Sequence, residues 1–425
     1  MWITIKSITS LLMSHGLLLL GNGMISILLG LRSRMEGFST EITGFVMAGY
    51  FVGLLIGAIY AARVVASVGH IRAFAAFASI MSVAVLGHIL YVDAVFWFFL
   101  RVIAGLCMAG MVMVVESWVN ERATNETRGQ ILSLYMIINY LGAGLGQFMI
   151  LIGDPAQFQL FVIASMVYSS ALVPILLTRA NAPAPSSPDR MPFKNLFAIS
   201  PIGVYGTVCC GMINATLIGM GAVFASEVGL NHTQVSTFMA AVILGGMVLQ
   251  FPIGRMSDRF DRRTILLTTS IATLCSALAV IWAIDQSVTT LVIFGAIFGG
   301  FSFVILPLVS SQINDLAKRD QLVQISAGLL IAYGIGASIG PVIAGQLMAR
   351  IGPVGLFEFI VAVHISLIIF IVIRIMQRRR NKIGKAPFLP LGSGGVSSKV
   401  LYNAALESAK QTESQKTSGT DAEET

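Results

Sequence analysis

Long apolar segments alternate with short polar breaks along most of the chain. The segments lie at about 8–31, 42–64, 73–92, 95–118, 129–152, 156–178, 197–224, 234–255, 264–284, 288–312, 323–349 and 354–376. An α-helix needs roughly 20 predominantly apolar residues to cross a bilayer, whereas a barrel strand needs about 10. The pattern therefore predicts an all-α membrane protein with twelve transmembrane helices. The first segment is too long for the apolar core of a signal peptide, so we count it as a helix.

One break in this pattern is longer than the others and differs in composition. Residues 179–196 carry four prolines among serines and charged residues, which is typical of a linker. The end of the chain is rich in Ser, Thr, Gln and Glu and lacks the apolar content needed to fold. We therefore expect a six-helix bundle at 1–178, a cytoplasmic linker at 179–196, a second six-helix bundle at 197–376 and a disordered cytoplasmic tail at 377–425.

Lysine and arginine are concentrated on one side of the predicted membrane. Of the 27 such residues, 23 fall in the N-terminus, the linker, the tail and the breaks on the same side. Three lie on the other side, at Arg32, Arg34 and Arg350, and Arg101 lies within a helix. Because cytoplasmic loops carry the excess of positive charge, both termini are expected in the cytoplasm.

The composition excludes several other classes of protein. The chain is 56% hydrophobic and only 11% charged, whereas soluble domains are about 25% charged. The net charge of +7 follows from membrane topology and does not indicate a nucleic-acid partner. The four cysteines fall in apolar runs without the spacing of a metal site, and no hydrolase, metalloprotease or nucleotide-binding motif occurs. We expect no catalytic residues, no metal and no cofactor.

The two predicted bundles share an internal repeat at an offset of 194 positions. The matches are Gly105 with Gly299, Glu121 with Asp315, Gln130 with Gln324, Ile131 with Ile325, and Gly142, Ala143 and Gly146 with Gly336, Ala337 and Gly340. A shared offset across two helices and the break between them indicates two homologous halves. Such halves are expected to be related by an axis along the membrane normal.

The densest charge in the chain occupies one break, Gly254–Arg263, which reads G-R-M-S-D-R-F-D-R-R. We expect a short polar hairpin at the membrane surface. The stretch resembles the loop signature of the major facilitator superfamily, G-x-x-x-D-R-x-G-R-R/K, with Asp261 in place of the second glycine. A weaker copy stands 192 positions upstream at Ala62–Arg72, where Gly69 is kept and the acid is replaced by Ala66.

Other patterns extend this resemblance over residues 8–376. Arg101 opens R-V-I-A-G, which resembles the R-x-x-x-G motif in the fourth helix of the same superfamily. The sequences around Tyr50, Glu116, Gln250 and Gly340 resemble a bacterial branch often called YcaD-like, whose substrates are generally unassigned. The resemblance implies a transporter of the bacterial cytoplasmic membrane that moves a small solute by alternating access.

Two charged residues stand inside the fourth predicted helix. Arg101 at mid-membrane costs about 2.5–3.5 kcal/mol on insertion scales, so it either lines a polar cavity or extends toward the outer interface. Glu116 lies fifteen residues further along, which places it about 60° around the helix and about 22 Å along its axis. It is either a proton or cation site in an apolar environment or a helix-end acid paired with a loop arginine. Because burial favours the neutral form of a carboxyl, we favour proton binding.

The resemblance also implies a gate network at the cytoplasmic ends of the helices. Its predicted members are Gly254, Arg255, Asp258, Arg259, Arg262, Arg263, Glu121, Arg128 and Asp315. Glu121 stands seven residues before Arg128, as in an E-x6-R pair of many family members, and Asp315 is its counterpart in the repeat.

Two contacts are expected within this network. Either Arg255 or Arg262 should pair with Asp315. Asp258 should cap the N-terminus of the fifth helix, near residues 129–132, when the cytoplasmic side is closed, because a carboxylate is stabilised at the positive end of a helix.

Small residues and buried amides complete the set of candidates. Close helix packing is expected at Gly142, Gly146, Gly336, Gly340 and Pro341. The Gly-Pro pair resembles a motif that exporters of the superfamily carry in the fifth helix, but here it stands in the eleventh.

Helices 1, 4, 7 and 10 usually line the cavity in this family, which makes Asn22, Arg101, Glu116 and Asn214 the candidates for contact with substrate or proton.

Three functions are consistent with these features. Few membrane charges favour a proton-linked exporter of amphipathic compounds, whereas Arg101 and Glu116 would suit a proton-linked importer of a polar or anionic metabolite. The third is a membrane sensor or scaffold that does not transport and signals through its tail. The expected partners are a small-molecule substrate, the lipid bilayer and a coupling proton, with the protein acting as a monomer.

Overall fold

The computed structural model describes residues 2–122, 128–177, 192–317 and 321–377, and the regular structure within these ranges is entirely helical. The helices are α1 (Trp2–Met35), α2 (Thr40–Val68), α3 (His70–Leu90), α4 (Ala94–Arg122), α5 (Arg128–Gly146), α6 (Gln159–Ser170), α7 (Leu172–Leu176), α8 (Phe193–Ile199), α9 (Pro201–Glu227), α10 (His232–Arg259), α11 (Arg262–Ala283), α12 (Val288–Leu316), α13 (Leu322–Ile351) and α14 (Gly355–Gln377). A 3₁₀-helix, Gln147–Ile152, continues α5, and α6 with α7 forms one span.

Twelve spans in the described residues are long and apolar enough to cross a membrane. The predicted all-α fold with twelve transmembrane helices is therefore confirmed. Helices α1–α7 form one bundle and α9–α14 the other. The predicted linker differs at its end, because Phe193–Ile199 form α8 and Leu196 packs against Gly328 of α13. The rest of the linker, from 179 to 191, and the tail from 378 lie outside the described residues, so the predicted domain limits stay a prediction.

The polar break predicted at Gly254–Arg263 is present but shorter than expected, because most of its residues belong to helices. Helix α10 continues to Arg259 and α11 begins at Arg262, so only Phe260 and Asp261 separate them. Asp261 begins the new helix by accepting a hydrogen bond from the Thr264 backbone N–H at 3.2 Å. The charged residues thus belong to two helix ends that meet at the membrane surface.

In the upstream copy of this break, the second helix begins in a different way. Gly69, which is 192 positions before Asp261, has φ +86° between α2 and α3. Only glycine adopts this conformation without strain. At the equivalent position Asp261 has φ −59° and uses its side chain as an N-cap. This difference explains why an aspartate can replace the second glycine of the signature.

Close helix contacts within each half follow the sequence repeat. A Cβ added at Gly105 would lie 1.9 Å from the Tyr50 carbonyl oxygen, and one at Gly299 would lie 1.9 Å from the Val242 carbonyl oxygen. The predicted packing glycines behave in the same way. Gly142 and Gly146 adjoin α1, and Gly336 and Gly340 adjoin α9. Substitution at these positions would separate the helices, so the glycines fix how closely they approach.

The two bundles meet in the half of the molecule that lies away from the α10–α11 break. We call the face that carries this break the motif face and the other the opposite face. Near the opposite face, the Ser26 hydroxyl of α1 donates to the Ile218 carbonyl of α9 at 2.8 Å. Gly44 of α2 lies against the Pro341 carbonyl of α13. These contacts join the halves and close the path between them at the opposite face.

Candidate functional site

Arg262 is the centre of the polar network at the motif face. Its side chain is only 3% exposed, and it forms ion pairs of 3.0 Å with both Asp258 and Asp315. Its guanidinium also donates to the Ser257 hydroxyl at 3.1 Å and to the Ser311 carbonyl at 3.0 Å. The predicted pairing with Asp315 is therefore present, and Arg262 is the arginine that makes it.

Other members of the predicted gate network lie outside this cluster. The Arg255 guanidinium lies over the Phe251 ring, with 4.4 Å from Cζ to the ring centroid. Glu121 is exposed. The Arg128 side chain lies outside the described part of the structure, so the Glu121–Arg128 pair stays a prediction. Asp258 is 43% exposed and bonded to Arg262 in this conformation, and its contact with α5 also stays a prediction.

An ion pair connects the two bundles at the opposite face. The Arg34 guanidinium at the end of α1 lies 3.0 Å from the Glu227 carboxylate at the end of α9. Both helices end at this face, so the pair reinforces the closure made by Ser26 and Gly44. Sequence reasoning missed this contact, although Arg34 was one of the few cations expected on that side.

A crevice lies between the two bundles in the half toward the motif face. It spans about 460 Å³, part of which is open to solvent, and it is lined by Phe51, Leu54, Leu55, Ala58, Ala109, Val112, Met113, Leu330, Tyr333, Gly334 and Ala337. These residues belong to α2, α4 and α13. The lining is almost entirely apolar, with one hydroxyl, that of Tyr333. Ligand sites in proteins commonly combine such an apolar wall with a small number of placed polar groups.

Glu116 lies beside this crevice, inside the first bundle. Its helix position is one turn beyond Val112 and Met113, which line the crevice, but its own side chain is fully buried. The Tyr135 hydroxyl of α5 donates to the Glu116 Oε1 at 2.6 Å. The Tyr135 ring stacks on His15 of α1 at a centroid distance of 4.4 Å.

The same network continues to a second residue of α5. The Asn139 Nδ2 lies 3.4 Å from the His15 Nε2, and both side chains are buried. Glu116, Tyr135, His15 and Asn139 therefore form one polar cluster that joins α4, α5 and α1. We call it the Glu116 cluster. A group in such a cluster can change its hydrogen bonds when a proton binds or leaves.

Arg101 is also buried within the first bundle. Its side chain is 3% exposed, which excludes the alternative that it extends to the outer interface. The guanidinium lies over the Tyr50 ring, with 4.4 Å from Cζ to the centroid, and its Nε has no hydrogen-bond partner. No described carboxylate forms an ion pair with it. A cation–π contact contributes about 0.5–2 kcal/mol, less than the roughly 2.5–3.5 kcal/mol cost of a mid-membrane arginine.

Each half contributes one asparagine–tyrosine pair, but only the asparagines are counterparts in the repeat. Asn22 and Asn214 are 192 positions apart, the same offset as the two loop copies. Asn22 adjoins the Tyr50 hydroxyl, and Asn214 adjoins the Tyr333 hydroxyl. The two tyrosines are close enough to interact electrostatically across the interface between the bundles.

The second of these pairs has unused hydrogen-bonding capacity. Neither the Asn214 Oδ1 nor the Tyr333 hydroxyl is within hydrogen-bond geometry of a partner, although both are buried. Buried polar groups are nearly always hydrogen-bonded, so these atoms indicate a place for a ligand or water. The structure therefore brings Asn22, Asn214 and Arg101 into one region through Tyr50 and Tyr333, while Glu116 belongs to a separate cluster.

The described side chains lack the arrangement that a metal site requires. Within them, no group of three or more His, Cys, Asp or Glu residues is arranged to hold a metal ion. The four cysteines are free; three are buried and Cys275 is exposed.

Two similar six-helix halves that close at one face and leave a crevice toward the other form the architecture of a secondary transporter. The model of the Major Facilitator Superfamily matches residues 11–205 and 203–406. The chain belongs to this superfamily.

Relatives and solved structures agree with this assignment. An uncharacterized MFS-type transporter YcaD from Escherichia coli is 26% identical over 357 residues, covering 83% of this chain and 92% of that protein. An uncharacterized MFS-type transporter from Yersinia pestis has the same identity and coverage. The predicted resemblance to the YcaD-like branch is thereby confirmed.

Solved transporters share the fold at low sequence identity. A nucleoside transporter NupG mutant superposes with a TM-score of 0.74 at 10% identity, covering 87% of this chain and 99% of that one. A bacterial homolog of the human lysosomal transporter Spinster, inward-facing and unoccupied, has a TM-score of 0.68 at 13% identity, covering 96% and 98%. The human organic anion transporter MFSD10 has a TM-score of 0.60 at 12% identity, covering 87% and 99%.

Proposed function

We propose that this secondary transporter exports amphipathic compounds in exchange for protons, by alternating access. The observation that carries the proposal is the apolar crevice between α2, α4 and α13, which would suit a largely apolar solute. A polar metabolite would need more hydrogen-bonding groups than the single Tyr333 hydroxyl in that lining.

Proton coupling is supported by the Glu116 cluster. A coupling group must bind a proton in one conformation and release it in the other. Glu116 is fully buried and bonded to Tyr135, one helix turn from the crevice. Movement of α4 against α5 would change that bond and the hydration of the carboxyl, and with them its affinity for a proton.

A second function is favoured by one observation. Arg101, with its unpartnered Nε, and the two asparagine–tyrosine pairs would suit an importer of a polar or anionic metabolite. Such an importer would place its solute at these groups and leave the apolar crevice as a path.

Orientation and location follow from the charge asymmetry. We propose that the motif face and both termini lie in the cytoplasm and that the protein acts as a monomer in a bacterial inner membrane. The described conformation then opens inward. Cysteines introduced at Arg190 and Lys410, in a background without native cysteines, should resist impermeant thiol reagents in intact cells; labelling of either would reverse the orientation.

Solute-dependent proton movement in proteoliposomes tests the proposed function. The panel should contain amphipathic compounds of both charges, nucleosides and small organic acids, since the similar folds include nucleoside and organic anion transporters. The proposal predicts proton movement with amphipathic compounds only. Proton-coupled uptake of a small polar solute alone would favour the importer, and a response to no compound would contradict both.

A further inference from the structure

The chemistry of the substrate can be specified further from groups that the proton site does not use. This inference rests on the proposed function. We infer that the transported molecules are amphipathic anions, with the apolar part in the crevice and the anionic head at the Asn22–Tyr50 and Asn214–Tyr333 pairs, in the field of Arg101.

The first step is the position of the two pairs relative to the crevice. Tyr333 itself lines the crevice, and the Tyr50 ring contacts that of Phe51, another lining residue, at a centroid distance of 5.3 Å. Both pairs therefore stand where the crevice ends, near the middle of the membrane. A molecule with its apolar part in the crevice would place its head group at this end.

The second step is the vacant hydrogen-bonding capacity at that end. The Tyr333 hydroxyl can donate to an anionic oxygen, and it is buried without a partner. The Asn214 amide adjoins the same hydroxyl. Both residues come from the second bundle, whereas Tyr50 and Asn22 come from the first. A head group between these residues would contact both halves of the protein. A transported solute must make such contacts if its affinity is to change when the two halves move relative to each other.

The third step is the sign of the charge. Arg101 is the only charged side chain near this end of the crevice among the residues described, and Glu116 lies about 22 Å away along the axis of α4. The guanidinium is buried behind Tyr50, and its Nε lacks a partner. An unpaired cation in a medium of low dielectric constant attracts an anion and repels a cation over several ångströms.

A matched pair of probes tests the charge preference. Octanoate and octyltrimethylammonium carry apolar chains of similar length and opposite charge. Their binding to the protein in lipid nanodiscs is measured by scintillation proximity with radiolabelled compounds. We expect octanoate to bind at least about tenfold more tightly, which corresponds to about 1.4 kcal/mol.

Variants assign the preference to the proposed residues. Arg101→Gln should remove the preference, and Arg101→Lys should retain part of it because the charge remains. Asn214→Asp, which adds a negative charge in the other bundle, should weaken octanoate binding at least about tenfold. Arg350→Gln is the matched control, since Arg350 lies at the far end of α13, and it should leave binding unchanged. Elution as a single species in size-exclusion chromatography checks the folding of each variant.

The outcomes separate this inference from the proposed function. Equal binding of both probes, no binding of octanoate, or a preference that survives both Arg101→Gln and Asn214→Asp would overturn the inference. Proton-driven export of octyltrimethylammonium without a preference for octanoate would overturn it while supporting the proposed exporter. Octanoate binding that depends on Arg101, without proton-driven flux, would support the anion site and contradict the exporter.

Discussion

Glu116 illustrates what a single residue reveals in the sequence and what it does not. Its place in an apolar run marked it as a candidate, and the structure shows it fully buried. Its partner Tyr135 lies nineteen residues further along, on another helix. Tyrosine is common at apolar helix positions, so no pattern distinguishes one that binds a carboxyl from one that only packs. Finding it required the packing of α4 on α5.

Loss of the Tyr135 hydroxyl should lower thermal stability and proton-driven flux more than loss of a similar hydroxyl elsewhere. Removing the donor to a buried carboxyl costs about 1–3 kcal/mol, whereas a partly exposed hydrogen bond between two neutral hydroxyls contributes about 0.5–1.5 kcal/mol. We expect Tyr135→Phe to lower the apparent melting temperature and to slow proton-driven flux. Tyr205→Phe, which removes a bond of 3.1 Å to the neutral Ser366, is the control. Equal effects of the two substitutions on flux would mean that Tyr135 has only a structural role.

At the scale of elements, the ends of α1 and α9 should control opening at the opposite face. A partly exposed ion pair such as Arg34–Glu227 contributes about 0.2–1 kcal/mol, so Arg34→Ala should raise the population open at that face by up to about fivefold. Spin labels at the exposed positions Glu41 and Thr233, near the starts of α2 and α10, would report this opening as a longer distance.

Two further variants make the gate experiment specific. The exchange of charges, Arg34→Glu with Glu227→Arg, should restore the distance distribution of the parent protein. Glu36→Gln removes an ion pair within the first bundle and should leave the distribution unchanged. If Arg34→Ala behaves like Glu36→Gln, the ion pair does not hold the gate.

Asp258 should control closure at the motif face. In this conformation Asp258 and Asp315 share Arg262, and closure of the motif face would let Asp258 move to the N-terminus of α5. We expect Asp258→Asn to lower transport while leaving expression intact, because it weakens the closed state of this face. Transport at the parental rate, or a structure closed at the motif face with Asp258 far from α5, would contradict this role.

The break between α10 and α11 shows why its charges were predictable and its shape was not. The charge density identified the motif, but the same residues could form a loop or two helix ends. Arg262 favours the helical arrangement, since it is buried against α12 through Ser311 and Asp315. Such a contact depends on a helix distant in sequence, which local composition does not specify.

At the scale of the whole molecule, the sequence predicted the architecture more fully than the site. Twelve long apolar runs leave few alternatives to twelve membrane helices, and the repeat indicated the two halves. By contrast, the meeting of Tyr50 with Tyr333 depends on how the halves pack, and both residues resemble ordinary membrane tyrosines. That the Arg101 Nε lacks a hydrogen-bond partner and that no described carboxylate pairs with this guanidinium likewise became visible only when the neighbouring helices were in place.

Transport by Glu116→Gln proteoliposomes tests the central claim, that one buried carboxyl couples a proton gradient to solute movement. Two fluxes are measured with a substrate from the panel: accumulation driven by a pH gradient and exchange without a gradient. Glu358→Gln is the control, because Glu358 is an exposed acid in the first turn of α14, outside the gate network and the Glu116 cluster. We predict that Glu116→Gln abolishes accumulation and preserves exchange, while Glu358→Gln retains both. Accumulation by Glu116→Gln at the parental rate would contradict the claim and place the coupling site elsewhere.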